Sequence, residues 1–191
     1  MKLVLHTERL LLTPLAPTDL DIALEMWTDP EVVEYVCDPM DKDTISEEMP
    51  IWTKRGGNGG IGIWCIADRW TGEKLGSAYL LPMPIDKDDT DFSLIVMGQM
   101  PDAEIEIGFF LKRSAWRRRY ATEVCKRLLQ FAFQEVSLNE VVASVDEENV
   151  ASKKVLEKSG LLDRGRMRCY GKDSPIYRIT HDEWNALQQS I

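Results

Sequence analysis

The first half of the chain reads as a strand, several helical turns and then a β-rich stretch. Leu10, Leu11 and Leu12 follow Arg9 in a short apolar run that predicts a first strand. Pro17-Thr18-Asp19 predicts a helix start, with Thr18 as N-cap and Asp21 three residues on. Ile22, Ala23, Met26 and Trp27 give that helix an apolar stripe, and Asp29-Pro30 stops it. One more helical turn is expected over residues 31–36, and a helix over 43–54 with a break at Pro50. After the flexible turn Gly56-Gly57-Asn58-Gly59-Gly60, residues 61–68 and 74–81 predict two strands around Thr71-Gly72. A loop over 82–91 and a strand over 92–97 follow. Residues 104–111 alternate, with Ile105, Ile107 and Phe109 on one face and Glu104 and Glu106 on the other.

The second half changes period. Val124, Leu128, Phe131 and Ala132 recur at helical spacing and predict a long helix over 120–136. Residues 140–145 form a short β-branched strand, and 149–158 a second helix closed by Gly160. A hairpin over 162–170 and 176–179 is expected to turn at Gly171-Lys172-Asp173, and Thr180-His181-Asp182-Glu183 is a capping box opening a terminal helix. No linker interrupts this order, so residues 1–191 are expected to form one α/β domain.

Composition narrows the function classes. Hydrophobic residues make up 44% of the chain and charged residues 29%, as in ordinary globular proteins. A formal net charge of −9 argues against nucleic-acid partners, which require a basic surface. Cys37, Cys65, Cys125 and Cys169 are far apart, and with only His6 and His181 beside them no metal site is expected. The amino-terminal residues are too charged for a signal peptide, and no apolar run reaches membrane-spanning length, so a cytoplasmic protein without membrane partners is expected.

Against that acidic background, Lys112, Arg113, Arg117, Arg118 and Arg119 gather where a strand ends and the long helix begins. A helix amino terminus presents unpaired N–H groups and a positive dipole end, so the cluster suits a phosphate as well as it suits a solvated surface. Asn149 and Ser152 open the next helix after one further strand, and two such junctions can bracket one ligand. Glu104 and Glu106 lie on one strand face beside the basic junction, as an exposed pair or as a candidate proton acceptor.

Together these segments resemble a known family. "EIEIGFFLKRSAWRRRYATEVCKRLLQFAF" is similar to the acetyl-CoA-binding segment of GNAT N-acetyltransferases, and "ENVASKKVLEKSGL" to the second signature of the branch that includes ribosomal-protein N-terminal (alanine) acetyltransferases. "TERLLLTPLAPTDLDIALEMWTDPEVVEYV" and "SPIYRITHDEW" resemble that branch's beginning and ending. The resemblance implies an α/β (α+β) fold: a central, mixed, mostly antiparallel twisted sheet flanked by helices and splayed to admit acetyl-CoA.

It further implies that the cosubstrate's pyrophosphate lies on a loop falling here on Trp116, Arg117, Arg118, Arg119, Tyr120 and Ala121, with Thr122 just inside the helix. The family's loop glycines are replaced by Arg117 and Arg119; Arg119 can still offer its amide if its φ stays negative, and its guanidinium can replace lost affinity. Phe109, Phe110 and Leu111 would pair with the pantetheine arm, and Asn149 and Ser152 would reach its thioester end. Glu106 matches the family's strand carboxylate and would serve as general base. Leu156 stands where many members place the tyrosine that protonates the thiolate, leaving Ser152 as the nearby donor. The implied activity is acetyl transfer from acetyl-CoA to a primary amine, of a peptide or a small molecule. A non-catalytic acyl-CoA-binding or sensor module on the same fold is the alternative, and oligomeric state, a homodimer included, stays open.

Overall fold

A computed structural model describes residues 2–189. Among them, strands β1 (Leu5–His6), β2 (Leu10–Pro14), β3 (Gly62–Asp68), β4 (Lys74–Pro82), β5 (Ile105–Leu111), β6 (Glu140–Ser144), β7 (Leu162–Cys169) and β8 (Lys172–Thr180) form one sheet in the order β1-β2-β3-β4-β5-β6-β8-β7. Helices α1 (Leu20–Trp27), α2 (Pro30–Val33) and α3 (Lys42–Trp52) precede β3. Helix α4 (Tyr120–Phe131) joins β5 to β6, α5 (Val150–Ser159) follows β6, and α6 (His181–Gln189) follows β8.

The alternation of side chains along each strand separates two apolar layers. On β3, Trp64 and Ile66 bury against the layer that contains α4, α5 and α6, while Cys65 faces α1 and α3. On β5, Ile105 and Ile107 join the α4 layer, as the period of the sequence implies. Phe110 points the other way and packs with Trp27, ring centroids 5.0 Å apart. Helices therefore cover both faces, and β5 lies in the middle of the sheet.

Every neighbouring strand pair is antiparallel except β5 and β6. Those two run parallel, because α4 carries the chain across between them, and they pair only at Glu106 and Val142. By contrast β4 and β5 pair continuously from Gly76–Leu111 to Pro82–Ile105. Beyond Glu106 the sheet therefore splays. At the base of the splay Arg178 of β8 clamps both strands, its Nη2 donating to Glu104 at 2.9 Å and its Nη1 to Glu140 at 2.6 Å. The splayed, mostly antiparallel α/β sheet expected from the sequence is the observed one.

Local departures have local causes. Residues 92–97 form no strand: Phe92–Leu94 is a 3₁₀ turn, closed by the Asp91 carboxylate accepting from the Ser93 amide at 3.0 Å. Thr18 does not cap α1. Instead the Asp19 carboxylate accepts from the Ala16 amide at 2.9 Å across a 3₁₀ turn at Pro17–Asp19. Helix α3 continues through Pro50, which lies in its last turn, where the missing amide costs a single intrahelical bond. The last hairpin turns at Tyr170-Gly171 rather than one residue later, with φ of 51° and 69°, and Lys172 already pairs with Cys169. Positive φ at both loop residues is what a two-residue hairpin turn demands. The terminal capping box forms as expected, the Glu183 carboxylate accepting from the Thr180 amide at 2.9 Å.

Candidate active site

The splay opens into a cavity of about 1390 Å³ that runs between the two helical layers. The hydrogen-bond phase of β5 determines what its edge offers. Lys112 donates to Leu75 and Met83 to Glu104, so the even-numbered residues of β5 direct their backbone toward β4. The odd-numbered ones, Phe109 and Leu111 among them, direct theirs into the gap. Phe110 contributes its ring to the cavity wall, not its backbone. The Leu111 carbonyl accepts a 2.6 Å bond from Trp116 Nε1, which holds the indole at the mouth of the splay.

Above this edge lies the basic loop. Arg117 and Arg119 both adopt left-handed backbone, with φ of 61° and 64°. The condition of a negative φ at Arg119 is thus not met: the chain keeps the torsion of a glycine position and fills it with arginine. Turning of this kind aims successive amides to one side and makes an anion-binding concavity. Arg119 is the N-cap of α4 and provides no side-chain cap. Among the described residues nothing accepts a hydrogen bond from the amides of residues 117–122. These amides and the helix dipole can hold a polyanion.

The arginine side chains divide. Arg117 and Arg119 line the cavity together with Trp116, Tyr120, Ala121 and Thr122. Arg118 does not. Its guanidinium lies 4.7 Å from the centroid of the Tyr120 ring, and its carbonyl accepts from Arg9. Arg9 in turn lies 4.5 Å from that ring and pairs with Glu123 at 2.6 Å. Arg118 therefore belongs to the clasp between the amino-terminal strand and α4.

Across the gap, Asn149 caps α5 by accepting from the Ser152 amide at 3.0 Å. Both residues line the cavity, as does buried Leu156 one turn further on. At the inner end Glu106 is only 2% exposed, although a solvent-facing strand position was one of its two sequence readings. Its Oε1 accepts from the Ser144 amide at 2.9 Å and the Ser144 hydroxyl at 2.6 Å, and its Oε2 accepts from the Tyr170 hydroxyl at 2.5 Å. The Tyr79 hydroxyl lies 3.5 Å from Oε2. Burial raises the carboxyl's pKa, and the bonds from Ser144 and Tyr170 oppose the rise. Glu104, on the same strand face, is instead held by Arg178 and forms no part of this cluster. Gly108 makes room for the Tyr79 ring: a Cβ there would lie 2.1 Å from Tyr79 Cζ.

Tyr79, Ser144 and Tyr170 were missed in the sequence, where only the Tyr-Gly turn dipeptide gave any sign of one of them. The remaining wall, from α1–α3 and the 88–91 loop, is aromatic and acidic. Trp27 packs between Trp52 and Phe110 with its ring tilted by 35° and 45° to theirs, and Glu34, Asp38, Glu48, Asp88 and Asp89 line this wall, as does Glu31, which pairs with Arg113 of the basic junction. Among the described residues no group of three or more His, Cys, Asp or Glu side chains is placed to hold a metal ion, and no helix is long and apolar enough to cross a membrane.

Comparison with known proteins gives the family and the fold. The family model described as an acetyltransferase (GNAT) domain matches residues 9–162. The uncharacterized N-acetyltransferase p20 of Bacillus licheniformis is 26% identical over 170 residues, covering 88% of this chain and 87% of its own. The FsC-acetyl coenzyme A-N(2)-transacetylase of Aspergillus fumigatus is 26% identical over 206 aligned positions, covering 97% and 79%. Among solved structures, an aminoglycoside acetyltransferase in complex with coenzyme A superposes with a TM-score of 0.74 at 13% identity, covering 94% of this chain and 99% of that one, a likeness of fold.

Proposed function

The chain belongs to the GNAT acetyltransferase family, and from that premise we propose that it transfers the acetyl group of acetyl-CoA directly to a cationic primary amine. The observation that carries the reading is the run of unpartnered amides at 117–122, standing over a sheet splay whose inner end holds a buried carboxylate. In this reading the pyrophosphate rests on those amides with Arg117 and Arg119 beside it, and the pantetheine arm pairs with Phe109. Because Trp116 already donates to Leu111, pairing there requires the indole to move aside or to pack on the arm. Asn149 and Ser152 flank the thioester end. Glu106 takes up the amine proton, for which its burial suits it. The acids along the wall from α1–α3 and the 88–91 loop favour an amine that arrives charged.

The test is acetyl-CoA consumption across four amines: an N-terminal peptide, a polyamine, an amino sugar and an amino acid. Turnover on at least one is expected, with thermal stabilisation by CoA that weakens as salt is added. Stabilisation without turnover on any amine would move the protein to the non-catalytic alternative. Absence of both would remove the CoA site altogether.

A further inference from the structure

Glu106 is a base that substrate does not reach. Both its oxygens are spoken for, it is 2% exposed, and it is not part of the cavity wall. What the wall shows in its place are the hydroxyls bonded to it, from Ser144, Tyr170 and, at longer range, Tyr79. Building on the acetyl-transfer reading above, we propose that Tyr170 is the group that meets the acceptor amine and relays its proton to Glu106 Oε2.

Three observations single out Tyr170 among the hydroxyls. Oε1 is shared by two short bonds from Ser144, which draw charge from it, whereas Oε2 has one short bond, the 2.5 Å bond from Tyr170, and is the freer acceptor. The Tyr79 hydroxyl stands 3.5 Å away, at the limit of a bond. Tyr170 also holds a strained position. It is the first residue of a two-residue turn with φ of 51°, where Gly sits without strain and Asn or Asp with less of it. The surrounding structure holds Tyr170 in that torsion with its hydroxyl on Glu106, and such strain gathers at functional sites.

The step balances. As one N–H bond of the ammonium breaks, the proton goes to Tyr170 Oη while the phenolic proton goes to Glu106 Oε2. The neutral amine forms the C–N bond to the acetyl carbon, the C–S bond breaks, and the second nitrogen proton compensates the thiolate. Burial and the neighbouring Glu106 charge hold the phenol well above its ordinary pKa, so a free tyrosinate does not accumulate and the two protons move together. The groups facing this pair are Tyr79 of β4, Thr90 of the 88–91 loop, Ser144 of β6 and Cys169 of β7; beyond them Asp89 acts on Tyr79 and Lys172 on Cys169.

The experiment compares wild type, Tyr170→Phe and Ser144→Ala in amine turnover as a function of pH, with acetyl-CoA affinity measured in parallel. Tyr170→Phe should lower kcat/KM for the amine about 100-fold near neutrality, leave acetyl-CoA affinity unchanged, and regain rate as pH approaches the amine's own pKa. Ser144→Ala should show no such pH-dependent recovery. If Tyr170→Phe does not fold, 3-fluorotyrosine at position 170 keeps the ring and lowers the phenol pKa; a displaced pH profile supports the relay and an unmoved one refutes it. Wild-type turnover with an unaffected Tyr170→Phe, or with a deficit equal at every pH, overturns the relay and leaves acetyl transfer standing. No turnover by wild type on any amine overturns both.

Discussion

Replacing Arg119 with glycine should stabilise the fold slightly. A side chain in left-handed backbone costs about 1–2 kcal/mol relative to glycine, because Cβ crowds the neighbouring carbonyl, and Arg119 sits there with φ of 64°. Glycine returns part of that gain, since it adds about 0.4–1 kcal/mol of freedom to the unfolded chain. The side chain is exposed and does not cap α4, so little packing is lost. The balance favours Arg119→Gly by about 0.5 kcal/mol, or a Tm rise of about 1–2 °C for a domain of this size. Arg119→Ala keeps Cβ and should change little. Arg119→Pro demands φ near −65° and should lose about 2 kcal/mol or more. Urea denaturation of the three variants reads these differences, and repeating it with CoA separates stability from affinity. A loss above about 1 kcal/mol in Arg119→Gly without CoA would refute the left-handed assignment. A weaker CoA stabilisation with the fold intact would make the guanidinium a phosphate ligand in its own right.

Three further outcomes are expected. Glu106→Gln should lower kcat about 10- to 1000-fold with acetyl-CoA affinity held; since burial raises the Glu106 pKa, the wild-type rate should climb with pH above the ordinary carboxylate range, and the variant should lose that limb. Arg117→Ala should weaken CoA binding by about 1–2 kcal/mol in a calorimetric titration, while Arg118→Ala, directed at Tyr120 and not the cavity, should leave affinity unchanged and lower Tm. Gly108→Ala places a carbon against Tyr79 and should cost about 1–3 kcal/mol. Its rate should fall even where the fold survives, because Tyr79 can move only at the expense of the hydroxyl cluster.

What the sequence disclosed followed from periods that one element carries by itself. The alternation at 104–111 placed Ile105 and Ile107 in the core, and the helical stripe from Val124 to Phe131 gave α4. Burial of Glu106 could not be read this way. It depends on Ser144 from β6 and Tyr170 from a hairpin turn, 38 and 64 residues away, and no local period encodes such a meeting. The segment 92–97 erred in the opposite sense. Its apolar content suggested a strand, but Asp91 and Ser93 close a turn with side-chain bonds that compete with any ladder. The loop at 117–119 escaped because a positive φ is ordinarily signalled by glycine, and here two arginines hold it.

Those arginines make sense once the two ends of the cavity are compared. An anion at the mouth of α4 needs amides pointed at it, and the left-handed turns supply them whichever residue makes the turn. Glycine would do so without strain and without charge. Arginine accepts about 1–2 kcal/mol of strain per turn and adds two cations, Arg117 and Arg119, to a wall that also holds Lys154 and Lys158. In a chain of net charge −9, whose cavity wall also carries Glu34, Asp38, Glu48, Asp88 and Asp89, that addition is what sets positive charge beside the 117–122 amides. A polyanionic donor is drawn to one end and repelled from the other, and a cationic acceptor the reverse. The proposed reaction requires that ordering, because the nitrogen has to enter from the acidic side and lose its proton before it meets the thioester.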